Sequence, residues 1–153
     1  MIRHITFDEI LPIWRDELWT NRTSAIEPVS AMMIDGSYDL HNFDYTPSFF
    51  AHKDKGVIVG VNSGHMCCDG SYRSRGLYVH PNYRKQGIGK NLLLATINQA
   101  KIERARYVWS YPRKESFSVY GNVGFFLASE WREDENGVNA FCIWEATGTL
   151  SKR

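Results

Sequence analysis

The stretch from Leu77 to Lys90 constrains the fold more than any other part of this 153-residue sequence. The apolar run that reaches Val79 stops just before Pro81, which predicts the end of a strand. Apolar residues then recur at helical spacing and predict a long amphipathic helix from Gly87 to Ile102. A strand, a short loop and a helix thus follow one another directly.

The loop between this strand and helix has the chemistry of an anion site. Gly87 and Gly89 allow the backbone to approach a ligand closely. The first N–H groups of a helix lack partners within it, and the helix dipole adds about half a positive charge at that end. Arg84, Lys85 and Lys90 add full charges. The loop therefore predicts a cradle for a pyrophosphate, in preference to a plain turn into a helix.

Two common phosphate loops do not match this one. A Walker loop requires Ser or Thr after its lysine, whereas Lys90 is followed by Asn91. A dinucleotide loop of the form G-x-G-x-x-G requires a third glycine at position 92, which is a leucine.

The run Arg84-x-x-Gly87-x-Gly89 instead resembles the acyl-CoA pyrophosphate loop of the GNAT acetyltransferase superfamily. The segments on either side, Leu77-x-Val79-x-Pro81 and Lys90-x-Leu92-Leu93, are similar to that family too. The resemblance implies acetyl-CoA as co-substrate and the backbone N–H of Val79 as a donor to the thioester oxygen. The cofactor-binding residues that it implies are Leu77, Val79, Arg84, Lys85, Gln86, Gly87, Ile88, Gly89 and Lys90.

A second, separate match lies between Ser116 and Phe125. It resembles the family's short helix that ends in a tyrosine four residues before Gly-Phe, here Gly124-Phe125. Tyr120 stands at the position of that tyrosine, which in the family often protonates the departing thiolate of coenzyme A. The resemblance therefore implies a catalytic role for Tyr120, against the alternative of a core tyrosine.

Two positions depart from the family pattern. Arg113 replaces an asparagine that usually contacts the cofactor, so that contact is open, although an arginine could reach a phosphate. The strand Tyr72 to Val79 carries Arg73 and Arg75 and lacks the glutamate that many members use as general base. We expect His80, next to a turn proline, to be structural or exposed, and assign no base. The conceivable bases are solvent and the carboxylates of Asp35, Asp39, Asp44, Asp69 and Glu115.

The remaining pattern predicts a single α/β domain over residues 1–153. Thr6 to Trp19 has helical spacing, a capping-box pattern at Thr6 and Glu9, and a disruptive Pro12. We predict a GNAT-like mixed, mostly antiparallel central sheet flanked by helices. Its predicted further elements are strands at Ser48–His52, Val57–Val61 and Tyr107–Trp109, a helix at Glu115–Asn122, and a hairpin of Phe125–Arg132 and Val138–Trp144 around Asn136-Gly137.

The formal net charge of +1 conceals an uneven distribution. Residues 1–70 hold 5 basic and 10 acidic residues, residues 71–114 hold 10 and 1, and the remainder holds 3 and 6. A basic middle between acidic flanks suits an enzyme that joins an anionic acyl donor to a cationic amine, although acidic flanks are also ordinary for a solvated surface.

The cysteines predict neither a disulfide framework nor a metal centre. There are three, and Cys67 and Cys68 are adjacent. His65 and these two could form half a zinc site, but no second Cys or His pair stands at ligand spacing. Together with the absence of a leader or an apolar run of membrane length, this composition predicts a cytoplasmic protein without a metal.

The combined expectation is an N-acetyltransferase that moves an acetyl group directly from acetyl-CoA to a primary amine of a small molecule or protein. Two alternatives stay open: a non-catalytic acyl-CoA-binding or regulatory module on the same fold, and nucleic-acid binding through the basic segment. The latter is disfavoured because no nucleic-acid motif is present. The acceptor and the oligomeric state, a homodimer included, cannot be deduced from the sequence.

Overall fold

A computed structural model describes residues 1–134 and 137–146. Seven strands form one sheet in the order β1-β2-β3-β4-β5-β9-β6, and β7 and β8 form a separate hairpin. The helices are α1 (Phe7–Ile13), α2 (Ile88–Ile102) and α3 (Phe117–Asn122). The strands β1 to β9 span Ile2–Ile5, Ser48–Asp54, Val57–Met66, Tyr72–Val79, Val108–Ser110, Phe126–Leu127, Arg132–Asp134, Gly137–Asn139 and Cys142–Trp144.

The predicted mixed, mostly antiparallel sheet is confirmed. Strands β1 to β4 pair antiparallel in chain order, and β9 pairs antiparallel with both β5 and β6. Strands β4 and β5 are parallel, and α2 lies between them in the chain as the crossover that a parallel pair requires.

The two faces of the sheet carry different layers. Phe50 packs with Leu92 on the α2 side, whereas Phe49 and Ala51 pack with Trp14 on the α1 side. Successive residues of a strand point to opposite faces of the sheet. The side chains of β2 therefore alternate between the layer of α1 and the layer of α2.

The N-terminal helix begins as predicted. Thr6 Oγ1 accepts a hydrogen bond from the Glu9 N–H, and the Glu9 carboxylate accepts one from the Thr6 N–H, which completes the capping box. Pro12 lies inside α1, and after Ile13 the chain continues as a π-helix over Trp14–Leu18. Pro12 has no N–H group to donate to the carbonyl one turn earlier. The regular series of α-helical hydrogen bonds is therefore already interrupted before the wider π-helical turn begins at Trp14.

Several elements differ from the sequence predictions. Strand β1 was not predicted, because its four residues alternate poorly. Strand β3 continues beyond Val61 to Met66 through polar residues. The predicted C-terminal hairpin is divided into the β9–β6 pair and the β7–β8 hairpin, and Asn136 of its turn lies outside the described residues.

The polar continuation of β3 is stabilised by specific partners. Asn62 Nδ2 donates to Ser74 Oγ at 2.9 Å and to Thr96 Oγ1 at 2.8 Å, and all three residues are buried. On the other face, His65 accepts a hydrogen bond from the Ser30 N–H at Nε2, so its Nδ1–H donates to the Met66 carbonyl at 2.9 Å. This arrangement holds a neutral imidazole in the interior.

Burial lowers the pKa of His65 to about 3. Unfolded histidine takes up a proton below about pH 6.5, whereas folded His65 does not, so acid favours the unfolded chain. We expect His65 to reduce the free energy of unfolding by about 2 kcal/mol between pH 7 and pH 5. Urea unfolding at both pH values measures this, and a His65→Gln variant should show a shallower pH dependence. The exposed His41→Gln is the control; equal slopes for His65→Gln and the wild type would contradict the assignment.

Candidate active site

A bulge in β4 shapes the centre of the molecule. Val61 pairs with Tyr78 and Ser63 with Arg75, so two residues of β4, Gly76 and Leu77, face one residue of β3. Gly76 has φ +80°, and a Cβ there would lie 2.3 Å from the Trp14 indole nitrogen. That nitrogen donates a hydrogen bond to the Gly76 carbonyl at 2.9 Å. Only glycine fits this position, and the bulge bends β4 at its middle.

Strands β4 and β5 separate near this bulge. Their register contains only the pairs Tyr72–Val108 and Arg73–Trp109, after which Ser110 Oγ donates to the Ser74 carbonyl at 2.8 Å. Beyond this point the two strands diverge, and a cavity of about 840 Å³ opens on the α1 side. Its lining includes the β4 bulge, Ser110, Tyr120 and the segment that follows α1.

The predicted anion loop leads from β4 into α2 with its backbone donors unused. Lys85 has φ +63° and Gly87 φ +82°, and no side chain caps the helix at Gly87. The hydrogen bonds among the described residues leave the N–H groups of Lys85, Gln86 and Gly87 without an acceptor. The first N–H bonded back into the helix is that of Asn91. The loop and the first turn of α2 therefore present a row of free donors to an anion.

The second glycine of the loop lies in close packing. A Cβ at Gly89 would lie 3.2 Å from Val119 Cγ2 and 3.7 Å from Val79 Cγ2. The start of α2, the end of β4 and α3 therefore meet at Gly89. Tyr120 directly follows Val119, the residue of α3 that contacts Gly89. This packing places the anion loop and Tyr120 on neighbouring elements.

The loop side chains divide by exposure. Lys85, Gln86 and Lys90 are exposed, and Arg84 Nε donates to the Val79 carbonyl at 2.9 Å. Ile88 is buried in the core, so only its N–H group is available to a ligand. The half-buried residues of the predicted set are Leu77, Val79 and Gly89.

The backbone N–H of Val79 faces away from β3. The N–H of the next residue, His80, donates to the Val59 carbonyl on β3 at 2.8 Å. Consecutive N–H groups of a strand point to opposite edges, so that of Val79 points to the edge where β4 and β5 diverge. His80 itself is exposed and caps a short turn by accepting from the Asn82 N–H, a structural role, as expected.

Tyr120 is 4% exposed and lines the cavity. Its ring packs edge to face against that of Phe125, with 5.3 Å between the ring centres. Burial raises the pKa of Tyr120 well above its usual value, while Ser110 and the Arg73 charge oppose this rise. The phenol is therefore protonated throughout the physiological pH range.

The five carboxylates considered from the sequence lie outside this cavity. Asp35 and Asp39 accept from nearby loop residues, Asp44 pairs with His41, and Asp69 binds Ser71 and Tyr107. Glu115 lines a smaller cavity that adjoins the larger one and shares Arg113 and Asp134 with it. The carboxylates that do line the larger cavity are Glu27, Glu133 and Asp134, which no sequence motif marked.

Arginines dominate the buried wall of the cavity. Arg73 and Arg75 are 8% and 4% exposed, and both line it. Arg113, at the position of the family's asparagine, also lines it, and its Nη2 donates to the Leu18 carbonyl at 2.8 Å. The sequence placed Arg73 and Arg75 on β4 but contained no signal that they would line a cavity.

Metal and membrane features are absent from the described part of the chain. Residues 1–134 and 137–146 contain no group of three His, Cys, Asp or Glu side chains placed to hold a metal ion. Cys67 and Cys142 are buried, and burial raises the pKa of Cys67 to about 11 and of Cys142 to about 12. None of the helices in these residues is long and apolar enough to cross a membrane.

A family profile described as "Acetyltransferase (GNAT) domain" matches residues 46–127, which include β2 to α3. The chain belongs to the GNAT acetyltransferase family. This assignment confirms the resemblance found in the sequence and supports acetyl-CoA as the co-substrate.

Solved structures of GNAT proteins share the fold. A ribosomal-protein-alanine N-acetyltransferase from Brucella melitensis is 19% identical with a TM-score of 0.67, over 95% of this chain and 99% of that one. Ard1 from Thermoplasma volcanium is 19% identical with a TM-score of 0.67, over 94% of this chain and 95% of that one. A candidate streptothricin acetyltransferase from Bacillus anthracis str. Ames, in complex with acetyl coenzyme A, is 12% identical with a TM-score of 0.62, over 95% and 98%. No curated protein sequence matches the chain.

The anion loop is tested by a pair of glycine substitutions. Gly87 and Gly56 both have φ +82° and open space where a Cβ would go. Alanine at either should cost about 1–2 kcal/mol of stability through the left-handed backbone. Only Gly87→Ala places a methyl group where the loop backbone must approach a pyrophosphate, so it should weaken acetyl-CoA binding at least tenfold, measured by calorimetry. Equal affinities for Gly87→Ala and Gly56→Ala would contradict the loop assignment.

Proposed function

We propose that the protein transfers the acetyl group of acetyl-CoA directly to a primary amine, without an acyl-enzyme intermediate. The observation that carries this proposal is the juxtaposition at Gly89, where the anion loop, the free edge of β4 and the helix of Tyr120 meet. These are a donor site, a carbonyl-polarising site and an acid, in the order that an acyl-CoA would encounter them.

The pyrophosphate of acetyl-CoA would bind the loop from Arg84 to Lys90. Its oxygens would accept from the free backbone N–H groups of the loop, and exposed Lys85 and Lys90 would add charge. Arg84 is held against the Val79 carbonyl, which keeps its positive charge beside the loop. The pantetheine amides would then pair with the free edge of β4, as an added strand does.

The thioester would lie beside Val79 and Tyr120. The N–H of Val79 would donate to the thioester oxygen as negative charge develops there, and a fixed backbone donor needs no reorganisation for this task. Leu77 and Val79, both half-buried, would flank the acyl group. Binding the two reactants in one cavity reduces the entropic cost of their encounter.

Tyr120 would protonate the departing thiolate of coenzyme A. Its burial and raised pKa keep the phenol protonated before the reaction. Proton transfer to the sulfur as the C–S bond breaks avoids the release of an anion into a buried site. Tyr120 thus acts as general acid, and the proton that the attacking nitrogen loses as the amide forms passes to water, from which the phenolate is reprotonated.

The amine must be neutral when it attacks. For a lysine-like pKa of about 10.4, deprotonation at pH 7 costs about 4.6 kcal/mol. The cavity opens to solvent and carries the three carboxylates named above, so the proton can leave to water or to a carboxylate.

Tyr120→Phe tests the acid role. We expect kcat to fall by about 10²-fold or more because the thiolate leaves without a proton, while acetyl-CoA affinity stays within about twofold. Tyr45→Phe, an exposed tyrosine outside the cavity, is the matched control. Release of free thiol from acetyl-CoA with an amine panel measures both variants. If the kcat of Tyr120→Phe equals that of the wild type across the pH range, Tyr120 is not the general acid.

The pH profile provides a second test. Since the raised pKa of Tyr120 lies well above neutrality, the acid stays protonated, and kcat/KM should rise with pH as more amine becomes neutral. We expect no decline below about pH 9. A decline between pH 7 and 9 that Tyr120→Phe abolishes would contradict a protonated Tyr120. Tight acetyl-CoA binding without thiol release over the whole panel would instead favour the non-catalytic acyl-CoA-binding module.

A further inference from the structure

Two arginines of β4 lie side by side in the wall of the cavity. Arg73 and Arg75 are two residues apart on one strand, so both point to the face opposite α2. Ser74 between them points to the α2 side, where it meets Asn62. The two guanidinium groups are therefore neighbours, and less than a tenth of either residue is exposed.

The hydrogen-bond and ring partners of these guanidinium groups are neutral, and the exposed Glu27 carboxylate acts on Arg75 through its charge without forming an ion pair. Arg73 donates to Ser30 Oγ at 2.9 Å and lies over the Trp109 ring at 4.8 Å. Arg75 donates to the Glu27 carbonyl oxygen at 2.7 Å, and its guanidinium carbon lies 5.0 Å from the centre of the Trp14 ring and 5.1 Å from that of the Trp19 ring. Among residues 1–134 and 137–146, neither forms an ion pair with a carboxylate.

This compensation is incomplete. Arg73 Nε is a fully buried donor that has no acceptor among the described residues. Burial lowers the pKa of Arg73 to about 10 and that of Arg75 well below its usual value, and the two charges repel each other. Buried cations without a partner are costly, and a buried donor without an acceptor adds to that cost. An anion in the cavity would remove both penalties.

We propose that the acceptor amine carries a carboxylate, as a free amino acid does, and that Arg73 and Arg75 bind this carboxylate. The inference rests on the proposed acetyl transfer and names the substrate class of that same site. A guanidinium group presents paired N–H donors that match the two oxygens of a carboxylate. With its carboxylate at these arginines, the acceptor lies in the cavity that also contains Leu77 and Tyr120, where the thioester would be.

The charge distribution within the fold supports an anionic acceptor over a simple cation. Of the ten acidic residues in positions 1–70, only Glu27 lines the cavity, and it is exposed at the rim. The other acidic residues of the lining, Glu133 and Asp134, are also exposed. The buried wall is cationic, so it would repel an acceptor whose only charge is an ammonium group.

The anion loop does not account for these arginines. Residues 84–90 do not line the cavity, so Arg73 and Arg75 are not part of the proposed pyrophosphate site. Loss of either arginine should therefore change the use of the acceptor and leave acetyl-CoA binding intact.

Matched acceptor pairs test the proposal on the wild-type protein. Each of a set of L-amino acids is compared with its own amide, and phosphoethanolamine with ethanolamine, by thiol release from acetyl-CoA and by calorimetry on protein saturated with coenzyme A, which cannot react. We expect kcat/KM to be at least tenfold higher for the amino acids than for their amides, mostly through KM. An amide amine is less basic and so more often neutral, which biases this comparison against the proposal.

Variants then assign the effect to the arginines. Arg73→Gln and Arg75→Gln should each raise KM for the carboxylate-bearing acceptor at least tenfold, with little change for the amide and for acetyl-CoA. Arg73→Lys retains the positive charge but lacks the paired N–H donors of the guanidinium group. Its KM for the carboxylate-bearing acceptor should lie between those of Arg73→Gln and the wild type, and it provides a test if Arg73→Gln fails to fold. Arg3→Gln removes an exposed charge outside the cavity and is the control.

The outcomes separate this inference from the proposed function. Thiol release that is as fast with amides as with amino acids would overturn the inference and leave acetyl transfer standing. No release with any amine, together with tighter binding of the amino acids than of their amides, would overturn the transfer reaction and keep the anion site. A preference confined to phosphoethanolamine would overturn the carboxylate assignment. No preference in either assay would overturn the site itself.

Discussion

The contact between Trp14 and Gly76 is the constraint on which the rest of the site depends. The indole ring occupies the space that any side chain at position 76 would need, and its N–H binds the carbonyl of the same residue. This contact joins the N-terminal helical segment to the bulge of β4. The bulge in turn bends β4 away from β5, so the cavity and the free strand edge share one cause.

Trp14 also contributes to the electrostatics of the cavity, because its ring contacts the Arg75 guanidinium. Trp14 and Trp19 both contact the Arg75 guanidinium, and Trp109 lies under that of Arg73. Aromatic faces stabilise a cation without neutralising it, so both side chains keep their charge in a site largely removed from water. A carboxylate on β4 would have made the same wall suited to taking a proton from an amine. With arginines, the wall is suited to holding an anion.

Much of the fold could be predicted from local sequence. The capping box at Thr6, the run into Val79 and the amphipathic helix up to Ile102 are each specified by residues close together in the chain. The elements that were missed depend on distant partners. Strand β1 forms because β2 offers it an edge, and β3 continues past Val61 because Ser74 and Thr96 bind Asn62 in the interior.

The same distinction applies to the site. The sequence alone predicted the anion loop and the candidate acid Tyr120, because both are short motifs in which glycine conformation, helix start and residue spacing carry the chemistry. Only the tertiary structure decided the cavity. The cavity is built from the segment after α1, from β4 and from the chain beyond β5, regions whose contact depends on sheet order and on the β4 bulge. Residue spacing cannot encode that contact, so the charge summed along the chain did not reveal the buried arginines that line the cavity.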